Sequence, residues 1–174
     1  MTPQSDTQID SLIAGMANEL RKRFENSADH AKLEDALMVG IHTGGVWVAE
    51  KLHVELGITQ ALGKLDISFY RDDFSRIGMN PQVKPSHLPT SVDDSHIILV
   101  DDILHTGRTI RAALNEIFDY GRPASITLAV LGERSGRELP IQADIVGHHL
   151  SLGEHEHAKL TGPDPLRLEV VETP

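Results

Sequence analysis

The sequence predicts an α/β domain: an open, mainly parallel sheet flanked by helices. Two patterns carry that expectation. The runs Ala36–Ile41, Ile97–Val100 and Ala124–Leu131 are almost wholly apolar, as expected of strands buried on both faces. The first two each pass through a short polar loop into helical periodicity, the unit from which parallel sheets are built. A chain of 174 residues suggests one domain, long enough to bury an ordinary core without staples.

In order, residues 1–8 read as loose. Ile9, Leu12, Ile13, Met16, Ala17 and Leu20 then recur at helical spacing, with Arg21, Lys22 and Arg23 near the end. The 36–41 strand ends in His42-Thr43-Gly44-Gly45, and a helix resumes over 46–56 until Gly57 stops it. The two glycines allow close backbone approach and positive φ, so this loop is a candidate anion cradle or a plain turn. Lys64 to Tyr70 alternates as a strand, and Arg71-Asp72-Asp73 follow. Residues 74–95 hold Gly78, Pro81, Pro85 and Pro89 with little period, as in a functional loop or binding arm. The helix after the 97–100 strand runs to about Tyr120, with Gly121 as its C-cap. Beyond Leu131, Gly132 to Pro140 reads as a polar loop at a strand's carboxyl end. Residues 143–146 form a short strand, and 166–171 an edge strand. His148, His149, His155 and His157 fit no zinc spacing and read as surface histidines.

The chemistry concentrates in Ile97–Thr109, IILVDDILHTGRT. A buried strand leads into Asp101 and Asp102, then Ile103, Leu104 and His105, then Thr106-Gly107-Arg108-Thr109 at a helix start. Free N–H groups, two hydroxyls and a helix dipole converge there, which suits a phosphate. The adjoining carboxylates would repel a second phosphate but suit hydroxyls or Mg2+. A sugar phosphate meets both conditions. Two acids after an apolar strand also occur in receiver domains, but near the chain start and without the Thr-Gly-x-Thr turn.

This stretch resembles the PRPP-binding motif of type I phosphoribosyltransferases. The resemblance implies that Asp101 and Asp102 hold the ribose hydroxyls, and that His105 to Thr109 wrap the 5′-phosphate. With Leu65–Asp73, Arg111–Leu114, Gly121-Arg122-Pro123 and Arg137–Ile141 in the same order, the chain from about residue 8 onward is similar to the bifunctional pyrimidine operon regulator / uracil phosphoribosyltransferase family. That resemblance implies a type I phosphoribosyltransferase fold in one domain over 1–174. It implies a flexible loop at about 71–90 and a hood from about 132–174 with an N-terminal contribution. The implied reaction turns uracil and PRPP into UMP and pyrophosphate with Mg2+, held at Asp101 and Asp102 mainly through PRPP itself. Ile41 to Gly45 (with His42, Thr43 and Gly44) would form the pyrophosphate loop. Arg71 would join the PRPP site, and Arg134 and Arg137 would lie in the hood near the base. Attenuator RNA and a homodimer or higher homo-oligomer are the implied partners.

Three departures qualify these implications. The pyrophosphate loop of that family usually reads Thr-Arg-Gly; Gly44 removes a guanidinium whose loss could cost about 2–4 kcal/mol of transition-state stabilisation. Ser135 and Gly136 stand for a usual Gly-His, and Gln142 and His148 for a usual Arg and Lys. These changes, with a net charge of −10, count against RNA binding. A catalytically weak regulator and a phosphoribosyltransferase for another base therefore stay open. With no cysteine, no apolar run near ~20 residues and no signal peptide, the expected setting is cytoplasmic and away from membranes.

Overall fold

The computed structural model describes residues 6–67 and 86–174. Helix α1 spans Asp6–Glu25 and buries Ile9, Ile13, Met16, Ala17, Leu20 and Phe24 on one stripe. It starts earlier than the apolar period, because a first helical turn needs no apolar residue. Strand β1 (Leu37–Ile41) is buried throughout. Helix α2 (Gly44–Leu56) ends at Gly57, whose φ of 60° is the left-handed cap conformation. Strand β2 is only Gly63–Leu65; the expected strand's last residues, 68–70, lie outside the described residues, as do Arg71 and most of the 71–90 loop. Beyond that gap, His87 exchanges two backbone hydrogen bonds with Lys64, at 2.7 and 2.8 Å.

Strand β3 (His96–Leu104) is longer than the apolar run and carries both aspartates within it. Its extension is held by strand β4 (Ser125–Arg134), which pairs with it as far as Leu104 beside Glu133. Helix α3 spans Arg108–Tyr120. Gly121 follows it in extended backbone rather than as a left-handed cap. Its glycine answers a packing need: a Cβ there would lie 2.6 Å from Asp93 Oδ1, which accepts the Arg122 N–H at 2.8 Å. The polar loop expected from Gly132 begins later, because Gly132, Glu133 and Arg134 pair with strand β5 (Ile145–Leu150).

The five strands form one parallel sheet in the order β2-β1-β3-β4-β5. Alternate residues of β3 feed two cores. Ile98 and Val100 join α1 and α2 residues such as Leu20 and Leu52; Ile97 and Leu99 join Ile110, Ala113 and Ile117 of α3. The sheet is thus covered on both faces, as its apolar strands require.

The C-terminal residues build a separate two-stranded antiparallel sheet from β6 (Glu156–Thr161) and β7 (Arg167–Glu172). Leu160, Leu166 and Leu168 seat it on the α1–α2 core. The only tryptophan, Trp47, packs beside them and lies against Gly162 in the turn of the hairpin. Among the described residues, no helix is long and apolar enough to cross a membrane.

Candidate active site

The sheet order reverses between β1 and β3. The chain leaves β1 into α2 on one face and β3 into α3 on the other, which opens a crevice at the carboxyl ends of these neighbouring strands. Gly40 pairs with Val100, so the His42–Gly45 loop emerges beside Asp101 and Asp102. The His42–Thr43 peptide is cis, and the His42 N–H donates to the Leu65 carbonyl at 2.9 Å. Neither Gly44 nor Gly45 takes a positive φ; both serve close approach. A Cβ on Gly45 would lie 2.7 Å from the Val100 carbonyl oxygen, and one on Gly44 would run into the Asp102 carboxylate.

Asp101 is 5% exposed, and its Oδ1 accepts the Asp102 N–H at 2.9 Å. Asp102 is half-buried, and its Oδ1 accepts the Ile103 N–H at 2.7 Å. Each carboxylate is oriented by a backbone donor one residue on. At the next turn Gly107 has φ 92°, a conformation that β-carbon-bearing residues rarely adopt, and it precedes the first residue of α3. The Thr106 hydroxyl accepts the Arg108 N–H at 3.2 Å.

The loop is braced from behind by residues 137–141. The Thr106 carbonyl accepts the N–H groups of Glu138 and Leu139 at 2.9 and 3.1 Å. Arg108 pairs with Glu138 at 2.6 Å. Arg137 spends its guanidinium on this brace. It donates to the His105 carbonyl, to Glu133 Oε1, and through Nε to the Ile141 carbonyl at 2.8 Å.

One cavity of about 410 Å³ gathers these groups. Asp101 through Ile110 form one wall, and Arg134, His157 and Ala158 form the other. The structure therefore brings Asp101, Asp102, Ile103, Leu104, His105, Thr106, Gly107, Arg108 and Thr109 together with Arg134. Gly44 and Gly45 abut the acid pair, His42 and Thr43 precede them in the same loop outside the cavity lining, Arg137 stands behind the phosphate loop, and Arg71 lies outside the described residues. Sequence reasoning missed His157. It is exposed, as expected, but it reaches the cavity because β6 is a strand. Partial burial and then the Arg134 guanidinium hold the His105 pKa below its ordinary 6.5, so its ring favours the neutral form near pH 7.

No cluster of three or more metal-binding side chains occurs among the described residues. Two adjacent carboxylates nevertheless fit Mg2+, which commonly takes one or two protein carboxylates and fills its shell with substrate oxygens and water.

A family profile described as the phosphoribosyl transferase domain matches residues 6–157. The bifunctional protein PyrR of Nitrosococcus oceani is 62% identical over 93% of this chain and 90% of its own. That of Pseudomonas aeruginosa is 56% identical over 91% of each. Among solved structures, the hypoxanthine phosphoribosyltransferase of Trypanosoma cruzi superposes with a TM-score of 0.69 at 18% identity, covering 97% of this chain and 94% of that one. The purine phosphoribosyltransferase of Pyrococcus horikoshii gives 0.63 at 24% identity, covering 84% and 86%. At those identities the two structures speak for the fold alone. By the family match over residues 6–157 and the identity to these relatives, the chain belongs to the phosphoribosyl transferase family, in its type I fold, and within it to the PyrR bifunctional proteins.

Proposed function

We propose that this chain transfers the phosphoribosyl group of PRPP to uracil, giving UMP and pyrophosphate. One observation carries the reading: the acid pair and the helix-opening amide loop share a single cavity at the β1–β3 switch. In this reading the amides and hydroxyls of His105 to Thr109 hold the 5′-phosphate. Asp101 and Asp102 hold the ribose hydroxyls, and their charge stabilises the positive charge that develops on the sugar as the C1′–O bond to pyrophosphate breaks. The uracil N1–C1′ bond forms as that bond breaks, and the N1 proton passes to the departing pyrophosphate or to water. Asp101 and Asp102 would hold Mg2+ together with PRPP, and the ion would supply charge neutralisation for the pyrophosphate. Thr43 to Gly45 line the departure side with backbone N–H groups, with Gly44 against the Asp102 carboxylate. The β6–β7 hairpin, seated on the α1–α2 core, acts as the hood, while Gly132–Arg134 and β5 belong to the parallel sheet.

A uracil/PRPP assay with Asp102→Asn as control tests the proposal. Asn keeps an acceptor for the Ile103 N–H, so the variant is expected to fold and to lose PRPP binding. A well-folded wild-type protein that turns over no base with PRPP would refute it.

The bifunctional relatives also favour a regulatory role, in which UMP filling the same cavity controls an attenuator RNA contact in the cytoplasm. Gel-shift titration of the protein's own operon leader with and without UMP tests that role.

A further inference from the structure

The peptide group between Leu65 and Asp66 is gripped on both sides. Its carbonyl accepts the His42 N–H at 2.9 Å, and its own N–H donates to the Ser86 hydroxyl oxygen at 2.9 Å. The Ser86 hydroxyl in turn donates to Glu116 Oε1 at 2.5 Å. Three hydrogen bonds thus run head to tail, in one direction, from the first residue of the loop after β1 to a carboxylate on α3. In such a chain each bond polarises the next, and an anion at its end strengthens the bond it accepts.

The α3 end of the chain is a costly place for an acid. Glu116 is 8% exposed, and among the described residues its Oε2 has no partner. Burying a carboxylate there carries a desolvation penalty that an apolar side chain would avoid. What the carboxylate supplies is a fixed acceptor for the Ser86 hydroxyl. Ser86 is also held through its neighbour: His87 exchanges two backbone hydrogen bonds with Lys64, which sets Ser86 beside Asp66. Strand β2 brings only three residues to the edge of the sheet, so the ladder alone gives its end few bonds.

The other end of the chain is the loop of the candidate site. Gly44 lies against Asp102, and Gly45 against Val100 and Asp101. Those contacts fix the second half of the loop, and the Leu65 carbonyl fixes its start. Backbone N–H groups that are to stabilise a leaving group must be aimed before the reaction begins.

We propose that Glu116 is a positioning residue for the His42–Gly45 loop, acting through Ser86 and the Leu65–Asp66 peptide, and that it serves the pyrophosphate half of the substrate. The proposal rests on the phosphoribosyl-transfer reading of the cavity.

The test is calorimetric titration of the full chain, in Mg2+, with PRPP and with ribose 5-phosphate, which keeps sugar and phosphate but lacks pyrophosphate. Ser86→Ala is expected to weaken PRPP binding about 3- to 10-fold, the size of one lost hydrogen bond, and to leave ribose 5-phosphate within about twofold. Glu116→Ala is expected to act in the same direction and to add little on top of Ser86→Ala. Glu116→Gln keeps an acceptor for the hydroxyl and is expected to hold most of the affinity. Amide hydrogen exchange supplies a readout that a general loss of packing would not single out: the His42 N–H should exchange faster in Ser86→Ala, while the amides of β3 keep their wild-type rates. Should Glu116→Ala fail to fold, Ser86→Ala and Glu116→Gln carry the test. Equal losses for both ligands, unchanged PRPP binding or unchanged His42 exchange would overturn the proposal. A wild-type chain that binds neither ligand would remove the phosphoribosyl-transfer reading instead, and the hold of Glu116 on the loop would then be judged on His42 exchange alone.

Discussion

The carboxylate of Asp102 occupies the space that a side chain on residue 44 would need: a Cβ built on Gly44 would stand 2.8 Å from the Asp102 carboxyl carbon. The two loops of the β1–β3 crevice are therefore packed against each other, with the Asp102 carboxylate at Gly44 and Val100 and Asp101 at Gly45. Gly44→Ala is expected to push Asp102 off the Ile103 N–H. Loss of that oriented bond should weaken PRPP binding about tenfold. Titration with PRPP beside a thermal melt checks it; an unchanged affinity would mean that Asp102 swings aside freely.

Arg137 is expected to act through the loop it braces. It bonds the His105 carbonyl, the Ile141 carbonyl and the Glu133 carboxylate. Arg137→Ala should cost about 2–3 kcal/mol, because it removes charge-assisted hydrogen bonds and leaves acceptors without a donor. It should also weaken ribose 5-phosphate binding. Arg137→Lys should restore little, since an ammonium cannot span three acceptors in a fixed fork. Denaturant unfolding and calorimetry separate the two effects.

Gly107→Ala strains the same loop from within. Its φ of 92° costs about 1–2 kcal/mol once a Cβ is present, and that Cβ would lie 3.1 Å from the Ile141 side chain. The melting temperature should fall by about 2–8 °C for a chain of this size. An unchanged melt would show that the turn relaxes at no cost.

Glu116 gives the protein a pH-dependent term away from the cavity. It is 8% exposed on α3; Oε1 accepts the Ser86 hydroxyl at 2.5 Å, and Oε2 is buried without a partner among the described residues. Burial first, then the Asp66 and Asp119 carboxylates, raise its pKa above the ordinary 4.5, while the Ser86 bond opposes the rise. Between the ordinary and the raised value the folded chain holds a proton that the unfolded chain has lost. Its stabilising contribution is therefore complete below about 4.5 and declines as pH rises through the folded-state value. Glu116→Gln should flatten that decline in unfolding measured from pH 4 upward; a slope equal to wild type would assign the effect elsewhere.

Much of the site was legible because its signals are local. A continuous apolar strand, two acids and a Thr-Gly-x-Thr turn are neighbours in sequence and remain neighbours in space, so Asp101 through Thr109 could be read directly. The depth of β3 could not be read. Its last four residues, two of them charged, are strand only because β4 offers them partners. Strand β6 was missed because Glu156–Thr161 shows only Ala158 and Leu160 as an apolar pair, too short a period to separate from loop. His157 was lost with it. The double duty of 134–141 was hidden for a different reason. Arg134 and Arg137 look equivalent in sequence, but one faces the cavity and the other holds the loop from behind. Side-chain direction at a strand's end depends on tertiary neighbours, not on residue type.

The seat of Trp47 against the turn of the hairpin gives the protein its own optical gauge. Since the chain has a single indole, its fluorescence reports on that turn without a label. Any rocking of β6–β7 as ligands arrive should be readable as a change in emission colour or quenching, in the native chain and in real time.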